Sequence, residues 1–286
     1  MHIKTYSDAA ALLADAQEAL EKNEAENTIV LSILFRLASG SKIGNAPPYL
    51  ATVWDDSRLL LVAVMTPPRP LLLFCEAEEW KAAIETLAEN VSGSGLTLPG
   101  VIGRSALASA FASMWERRAN VRSKIHVNER EYVLREVLFK GSASGFLRPA
   151  TAAEFDLVLQ WAFSFHSDVR MPRPRAEVEE VIRSRLDARD IYLWMDNGEP
   201  VSIAGRMGST PHGARIGLVY TPLGLRGRGY ATACVAHLSQ LLLDSGKEFC
   251  TLSTDLANPI SNSIYQKIGY RPVLDFCQYE FQAPSI

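Results

Sequence analysis

The sequence predicts an α/β (α+β) fold, in which a mixed sheet is flanked by helices and the chain forms two domains. Apolar runs of strand length alternate along the chain with segments whose apolar residues recur at helical spacing. Residues 140–145, which read KGSASG, are small, polar and flexible, and they predict a linker between residues 1–143 and 144–286. In the second domain an apolar strand runs through a glycine-rich loop into a helix, and this stretch carries the main functional hypothesis.

The composition is that of a soluble globular protein. Of the 286 residues, 48% are hydrophobic and 21% are charged, and the formal net charge is −3. The lack of a basic excess argues against general nucleic-acid binding. The longest apolar run, residues 59–65, is far shorter than the roughly 20 residues that span a bilayer, and the N-terminus lacks the order of a signal peptide. We therefore expect a cytoplasmic protein with no nucleic acid and no membrane among its partners.

The four cysteines, Cys75, Cys234, Cys250 and Cys277, are scattered and form no Cys-x-x-Cys pair. We expect reduced thiols that pack as small hydrophobic side chains. No cluster of His, Cys or carboxylate residues has the spacing of metal ligands, so no metal site is predicted.

Residue patterns predict the elements of the first domain. They are a helix over residues 7–22 capped by Ser7, a buried strand over 27–38, a hairpin of strands 49–54 and 59–66, a strand over 71–75, a helix over 76–90, a glycine-bearing turn at 100–103 followed by a helix, and a closing strand over 132–139.

In the second domain the predicted order is β-α-α-β-β-β-α-β-α-β. The strands are predicted at 146–148, 191–195, 201–207, 215–220, 249–254 and 272–281, and the helices at 151–166, 175–188, 229–245 and 258–268. Thr151 and Glu154 have the spacing of a capping box at the start of the first helix.

Residues 218–231, LVYTPLGLRGRGYA, have the composition of a phosphate-binding loop. The segment begins as an apolar strand, breaks at Pro222, and passes through Gly224, Gly227 and Gly229 into a helix. Glycines let backbone N–H groups approach phosphate oxygens, and the unpaired N–H groups and dipole of a helix N-terminus favour negative charge. The loop lacks the Gly-Lys-Ser/Thr ending of a P-loop, which argues against an ATPase or a kinase.

A second stretch, residues 258–270, reads NPISNSIYQKIGY and predicts a helix with clear ends. Asn258 is an N-cap, Pro259 stands at the first helical position, and Gly269 ends the helix. Asn258, Asn262 and Tyr265 share one helix face, whereas the isoleucines form a separate apolar stripe. On pattern alone, this polar face is either solvated or part of a binding site.

Together, the two stretches resemble the signatures of the GNAT superfamily of N-acyltransferases. Arg226, Gly229 and Ala231 occupy the defining positions of the acyl-CoA-binding loop, Arg/Gln-x-x-Gly-x-Gly/Ala. Residues 258–270 are similar to the second signature, Asn-x-x-x-x-x-x-Tyr-x-Lys-x-Gly-Tyr/Phe. The resemblance covers residues 145–286, and the first half looks like the degenerate N-terminal domain of two-domain members.

The resemblance implies an N-acetyltransferase that uses acetyl-CoA (coenzyme A). Backbone amides of the loop would bind the pyrophosphate, the central strand would bind the pantetheine arm as an added strand, and a backbone N–H near Val219 or Tyr220 would stabilise the thioester oxygen. Asn258 and Asn262 would contact the pantetheine, and Tyr265 would be the catalytic acid beside the sulfur. The implied cofactor-binding residues are Leu218, Val219, Tyr220, Arg226, Gly227, Arg228, Gly229, Tyr230, Ala231, Asn258, Asn262 and Tyr265.

The general base is not evident from the sequence. Many members of the family have a Glu on the strand before the loop, and here residues 215–218, RIGL, contain none. The alternatives are Asp255, His212, Glu199, His166 or a water relay.

The acceptor is expected to be a small-molecule or peptide amine, selected by residues 161–175, the loop around His212 and the first domain. The chain is expected to act as a monomer or a homodimer. A non-catalytic sensor or scaffold that binds CoA or acyl-CoA is the alternative function, because the strand lacks the Glu; the presence of Tyr265 weighs against it.

Overall fold

The structure is a computed structural model that describes residues 1–75, 80–139, 141 and 143–283. Contacts between residues divide the chain into two compact units, of which unit 1 comprises Met1–Glu131 and Val273–Ile286, and unit 2 comprises Tyr132–Pro272. The domain boundary between residues 143 and 144 stays a prediction about the sequence. Residues 140 and 142 of the predicted linker lie outside the described residues.

Unit 1 contains a mixed sheet and helices that pack on it. Its helices are α1 (Ala9–Glu21), α2 (Thr28–Ala38), α3 (Trp80–Gly93) and α4 (Ser105–Ala119), and its strands are β1 (His2–Thr5), β2 (Tyr49–Asp55), β3 (Arg58–Met65), β4 (Leu71–Phe74), β5 (Gly100–Arg104) and β12 (Arg271–Gln282). The strand order is β1-β2-β3-β4-β5-β12, with β4 and β5 parallel and the other neighbours antiparallel. The chain leaves unit 1 along β6 (Arg122–Leu134).

Unit 2 has the same kind of sheet. Its strands are β7 (Phe146–Pro149), β8 (Ile191–Asp196), β9 (Glu199–Ser209), β10 (Gly213–Tyr220) and β11 (Phe249–Asp255), and its helices are α5 (Phe155–Asp168), α6 (Arg175–Asp187), α7 (Tyr230–Asp244) and α8 (Pro259–Ile268). The strand order is β7-β8-β9-β10-β11, with β10 and β11 parallel and the other neighbours antiparallel.

The two units repeat one order of elements, β-α-α-β-β-β-α-β-α. The repeat confirms the predicted mixed sheet flanked by helices and the similar set of elements in the two halves. In both units a helix joins the antiparallel part of the sheet to the parallel strand that follows it, because a parallel neighbour can be reached only by a crossover.

Two apolar clusters cover the two faces of the unit 2 sheet. Ala214 and Ile216 of β10 pack with α7 and α8, whereas Leu218 packs with α5 and α6. Side chains of a regular strand alternate between faces, so residues 214, 216 and 218 would all share one face. The change of face at Leu218 therefore shows that β10 is irregular near its end.

The ends of two helices in unit 2 follow the sequence signals. The backbone N–H of Thr151 donates to the Glu154 carboxylate at 2.8 Å, and both halves of the predicted capping box are present. The Oδ1 atom of Asn258 accepts a hydrogen bond from the Ser261 N–H at 3.1 Å, and Gly269 ends α8 with a φ of 122°. These contacts confirm the predicted caps.

At α1 the predicted cap is wrong by one residue. The Oδ1 atom of Asp8, not the hydroxyl of Ser7, accepts from the Ala11 N–H at 2.9 Å. A carboxylate and a hydroxyl are both good N-caps, so adjacent Ser and Asp residues compete for the position.

The predicted strand over residues 27–38 is wrong, because these residues form the helix α2. Leu31 and Leu34 are fully buried and lie three residues apart, on one side of the helix. A continuous apolar run does not by itself distinguish a buried strand from a buried helix, and the length of α2 favours a helix.

The predicted turn at residues 100–103 is also wrong, because these residues belong to β5. A Cβ atom on Gly100 would lie 2.1 Å from the Tyr279 carbonyl oxygen, and one on Gly103 would lie 3.1 Å from the Leu73 carbonyl oxygen. The glycines therefore mark close approach of neighbouring backbones rather than a turn.

The ends of two further elements, the strand β6 and the helix α3, differ from the prediction. The strand predicted at 132–139 is β6, which begins at Arg122 and ends at Leu134. The first part of β6 is rich in charged side chains, and the apolar alternation that identifies a strand is weak there. The helix predicted at 76–90 is α3, Trp80–Gly93, and residues 76–79 lie outside the described residues.

Candidate active site

Strands β10 and β11 separate toward their carboxyl ends. They pair in parallel from Gly213 with Phe249 to Arg215 with Thr251. Within the described residues no pair follows, although β10 continues to Tyr220 and β11 to Asp255. The edge of β10 that faces β11 therefore carries backbone groups without a ladder partner, and a cleft opens between two strands that are neighbours in the sheet.

A β-bulge in β10 accounts for this separation. Between Gly217 and Tyr220 the register with β9 shifts, so that residues 218 and 219 oppose a single residue of β9. Leu218 has a φ of +52°, in the left-handed region that non-glycine residues seldom adopt and that costs on the order of 1–3 kcal/mol. A bulge bends its strand and increases the twist, which turns the end of β10 away from β11.

The connection from β10 to α7 presents a row of unpaired backbone donors. Gly227 and Gly229 have φ values of +79° and +80°, and Gly229 is the N-cap of α7 without a side-chain cap. In the part of the chain that the structure describes, no carbonyl or side chain accepts from the N–H groups of residues 227–232. Such a row of donors at a helix N-terminus binds anions, and phosphate groups above all.

The side chain of Arg226 holds this loop in place. Its Nε atom donates to the Thr221 carbonyl oxygen at 2.9 Å, its Nη2 atom lies 2.6 Å from Asp168 Oδ2, and its guanidinium carbon lies 5.6 Å from the centre of the Tyr220 ring. Arg226 thus closes the loop onto the end of β10 and links it to the last turn of α5.

The side chain of Tyr230 fixes the start of α7. Its hydroxyl donates to Asp196 Oδ2 at 2.6 Å, in the turn between β8 and β9. This hydrogen bond lowers the pKa of Asp196 and raises the pKa of Tyr230. Arg228 lies close enough for its charge to contribute to both shifts. With their side chains engaged, Arg226 and Tyr230 can offer a ligand mainly the backbone of the loop.

Asn258 and Asn262, predicted to contact a ligand, make hydrogen bonds within the protein. Asn258 is the exposed cap of α8. The Nδ2 atom of Asn262 donates to the carbonyl oxygens of Asp255 at 3.0 Å and Asn258 at 2.7 Å, while its Oδ1 atom accepts from the Tyr132 hydroxyl at 2.7 Å. Asn262 therefore fixes α8 at the end of β11 and to Tyr132.

Tyr265 lies on the buried side of α8. Only 8% of its surface is exposed, and its ring packs edge-on against Tyr270 with 6.0 Å between ring centres. Val219 of the bulge packs against the same apolar cluster. Burial raises the pKa of Tyr265 to about 12, so its phenol is protonated at neutral pH.

The candidate bases occupy different parts of unit 2. Glu199 begins β9 and Asp255 ends β11. Both side chains are exposed, and both lie at the end of the sheet where β10 leads into the loop. His212 precedes β10, at the opposite end of an eight-residue strand, roughly 26 Å from the loop at about 3.3 Å per residue. The distance excludes His212 as a base for a reaction at the loop.

His166 has a different environment, in the last turn of α5. Its Nδ1 atom is buried and has no hydrogen-bond partner among the described residues. Burial, assisted by the charge of Arg173, lowers the pKa of His166 to about 4, so the ring is neutral at physiological pH.

Three residues that support this site were missed by the sequence analysis: Tyr132, Asp196 and Ser202. Their hydrogen bonds to Asn262, Tyr230 and the end of β10 join residues far apart in the chain. No local pattern marks such partners, because each depends on which strands become neighbours.

The cysteines behave as small buried side chains, as predicted. All four are buried and none forms a disulfide, and burial raises the pKa values of Cys234 and Cys250 to about 12. The described residues contain no group of three or more His, Cys, Asp or Glu side chains placed to hold a metal ion. No helix among them is both long enough and apolar enough to cross a membrane.

Comparison with solved structures defines the class of fold. A GNAT-family acetyltransferase from Colwellia psychrerythraea superposes with a TM-score of 0.61 at 12% identity, covering 99% of this chain and 100% of that chain. A GCN5-related N-acetyltransferase from Sphaerobacter thermophilus gives 0.64 at 14% identity, covering 99% and 96%. A tandem GNAT protein from the clavulanic acid biosynthesis pathway gives 0.54 at 13% identity, covering 100% and 99%. The chain therefore has the GNAT acyltransferase fold, of the two-domain type.

The sequence of unit 2 also matches a family model. Residues 155–270 match the model of the Acetyltransferase (GNAT) family, and this range lies within unit 2. Unit 2 thus contains a GNAT domain, which confirms the resemblance found from the two motifs. No match was found among curated proteins.

Proposed function

We propose that this protein is an N-acyltransferase that moves the acetyl group of acetyl-CoA to an amine, and that unit 2 carries out the reaction. The observation that carries this proposal is the cleft between β10 and β11, which opens beside the unpaired N–H groups of residues 227–232. A long ligand with a diphosphate at one end and a thioester at the other matches these two features.

The loop and the strand would bind different parts of the donor substrate. The N–H groups of residues 227–232 would bind the pyrophosphate, because they form a row of donors at the positive end of the α7 dipole. The pantetheine carries amides and would bind the free edge of β10 as an added strand does. The thioester would then lie near the bulge at residues 218–219.

The backbone at the bulge would stabilise the charge that develops during the reaction. The amine attacks the thioester carbonyl carbon, a C–N bond forms, and the carbonyl oxygen becomes negative before the C–S bond breaks. A backbone N–H at Val219 or Tyr220, at the register shift of β10, would donate to that oxygen.

Tyr265 would stabilise the departing thiolate. Its pKa of about 12 lies roughly 3 to 4 units above that of an ordinary thiol, so full proton transfer to the sulfur is uphill in the ligand-free site. We therefore assign Tyr265 the role of a hydrogen-bond donor to the sulfur, and the thiolate is finally protonated as product.

The amine must lose a proton, and Asp255 and Glu199 are the candidate bases at the correct edge of the sheet. His166 is neutral, but its pKa of about 4 makes it a weak base, and the charged groups that act on it, Arg173 and Glu177, belong to the α5–α6 segment. Asp255→Asn, Glu199→Gln and His166→Gln compared at one amine concentration would separate the three.

The proposal is tested by binding and by turnover. We expect acetyl-CoA to raise the melting temperature, and S-acetylpantetheine, which lacks the pyrophosphate, to raise it much less because it cannot use the loop. We expect a panel of small-molecule and peptide amines to contain an acceptor that releases free thiol. Tight binding without turnover on any amine would favour a sensor or scaffold, and absence of binding would contradict both functions.

A further inference from the structure

A fully buried serine controls the end of the bulged strand. Ser202 lies on β9 with none of its surface exposed. Its hydroxyl donates to the Tyr220 carbonyl oxygen at 3.1 Å and lies 2.8 Å from the Thr221 hydroxyl. A hydroxyl has one proton, so the Thr221 hydroxyl must be the donor in the second bond.

The resulting hydrogen bonds form a chain with one direction. The Thr221 hydroxyl donates to Ser202, and Ser202 donates to the Tyr220 carbonyl. The Thr221 carbonyl in turn accepts from Arg226 Nε at 2.9 Å, so that the phosphate-binding loop is attached to the same point. Successive hydrogen bonds of this kind polarise and strengthen one another in a buried environment.

This chain determines the geometry of the bulge. Residues 218 and 219 span the distance between Gly217 and Tyr220, which keep their partners on β9. Leu218 is held at a φ of +52°, a conformation that persists only when both flanking residues are fixed. Ser202 fixes the Tyr220 side, since its hydroxyl is hydrogen-bonded to both the Tyr220 carbonyl and the Thr221 hydroxyl.

We propose that Ser202 is a positioning residue of the acyl-transfer site, which acts by aiming the backbone N–H group of Val219 or Tyr220 at the oxygen of the acyl group. Ser202 does not touch the substrate. The inference rests on the proposed function, because it assumes that a thioester binds at the bulge.

A second serine provides a matched control. Ser239 on α7 is also fully buried, and its hydroxyl lies 2.8 Å from the Tyr270 hydroxyl and donates to the Val235 carbonyl oxygen at 2.7 Å. Ser202→Ala and Ser239→Ala therefore remove the same buried hydroxyl, which is hydrogen-bonded at both positions; Ser202 is also hydrogen-bonded to Cys234 of α7. Only Ser202 is bonded to the end of β10.

The experiment measures the polarisation of the thioester carbonyl directly. Acetyl-CoA labelled with 13C at the acetyl carbonyl is bound to each variant, and the 13C chemical shift of the carbonyl is compared with that of the free molecule. Hydrogen-bond donors at the oxygen move the signal downfield. We expect Ser202→Ala to lose at least half of the shift seen in the unaltered protein, and Ser239→Ala to retain it.

Turnover and affinity provide a second readout. Removal of one oxyanion donor costs about 100- to 1,000-fold in kcat, so loosening of the donors by Ser202→Ala should cost about 10-fold or more. The dissociation constant of acetyl-CoA should change by less than about 3-fold, because the loop still binds the pyrophosphate. Thr221→Val, which removes only the donor to Ser202, should reduce the carbonyl shift by a smaller amount.

The outcomes separate the two proposals. If the unaltered protein polarises the carbonyl and Ser202→Ala does so equally, the role of Ser202 is overturned and the proposed function stands. If Ser202→Ala unfolds, the test passes to Thr221→Val. A carbonyl shift in Thr221→Val equal to that in the unaltered protein would overturn the role of Ser202. If the unaltered protein does not bind acetyl-CoA, both proposals fail.

Discussion

The hydroxyl of Tyr132 donates a hydrogen bond to Asn262 Oδ1 at 2.7 Å and thereby holds the helix that carries Tyr265. Tyr132 is fully buried. The Nδ2 atom of Asn262 donates hydrogen bonds to the backbone carbonyl oxygens of Asp255 and Asn258. The position of Tyr265 thus depends on a polar contact between the end of β6 and the middle of α8.

Tyr132→Phe tests this contact. The substitution keeps the ring and removes the hydroxyl that donates to Asn262. The half-buried Asn262 oxygen then loses its donor, so we expect the free energy of unfolding to fall by about 1–2 kcal/mol. Urea unfolding gives the stability, and calorimetric titration gives the affinity for acetyl-CoA, which should change by less than about 2-fold.

Asn262→Ala should lower stability more than Tyr132→Phe, because it removes three hydrogen bonds. Asn258→Ala is the matched control, since it removes one exposed cap at a cost of about 1 kcal/mol. A variant Asn262→Ala that kept its stability but lost acetyl-CoA binding would show that the side chain serves the ligand rather than the fold.

Tyr265→Phe should reduce turnover about 10- to 100-fold and leave acetyl-CoA affinity nearly unchanged, because only the developing thiolate needs the phenol. The folded-state pKa of about 12 lies above the ordinary value of 10, so the protonated form persists across neutral pH and is lost only as the pH rises toward 12. Thiol release measured from pH 6 to pH 10 should therefore show no alkaline decline caused by this residue. Equal activity of the variant would remove Tyr265 from the mechanism.

Gly229→Val should abolish acetyl-CoA binding. Gly229 has a φ of +80°, which a β-branched residue does not adopt without strain, so the N–H groups on either side of it would be redirected. Binding is measured by calorimetric titration and folding by thermal unfolding.

Gly246→Val is the control for Gly229→Val. Gly246 follows the other end of α7 and has a φ of +98°, so the same substitution imposes similar backbone strain away from the loop. We expect it to lower the melting temperature and to retain binding. Loss of binding in both variants would mean that strain in α7, not the loop, is responsible.

The chain should bind one molecule of acetyl-CoA, in unit 2. In the sequence of unit 1, residues 75–79 read CEAEE, with three Glu and no glycine, a composition that disfavours a phosphate. Gly103 of β5 also approaches β4 so closely that its Cβ would lie 3.1 Å from the Leu73 carbonyl oxygen, whereas β10 and β11 separate. Calorimetric titration should give one molecule of acetyl-CoA bound per chain, and a value of two would show that unit 1 also binds the ligand.

Acid should weaken the fold of unit 2 through Glu154. Its carboxylate lies 2.5 and 2.9 Å from the two terminal nitrogens of Arg148, and chiefly this contact lowers the pKa of Glu154 from an ordinary 4.5 to about 2. Because the folded-state pKa is the lower one, the stabilisation is present above about pH 4.5 and is lost as the pH falls toward 2. The contribution is roughly 1–3 kcal/mol, allowing for partial exposure of the pair.

Glu154→Gln should reduce the decline of unfolding free energy between pH 5 and pH 2, measured by urea unfolding at several pH values. Glu179→Gln is the control, because Glu179 forms an exposed i, i+4 pair with Arg175 on α6, a kind of contact worth only about 0.3–0.5 kcal/mol. A pH dependence in Glu154→Gln as steep as in the unaltered protein would contradict the assignment.

Local signals in the sequence were sufficient for much of unit 2. Thr151 with Glu154, Asn258 with Pro259, and Gly269 mark helix ends through contacts with residues three or four positions away. The two motifs are also local, since each lies on one loop or one helix. Such signals predict the order of elements and the residues of the loop without any knowledge of neighbouring strands.

Contacts between distant residues decided the rest. The apolar segment that became α2 suited a strand equally well, and Gly103 suited a turn until β4 lay beside it. The same is true of the site. The sequence determined that a glycine loop leads into α7 and that Tyr265 lies on α8. The bulge at Leu218, its hydrogen-bonded neighbour Ser202 and the contact of Tyr132 with Asn262 arise only in the folded protein. Each of them is a hydrogen bond or a register shift between strands and helices that are far apart in the chain.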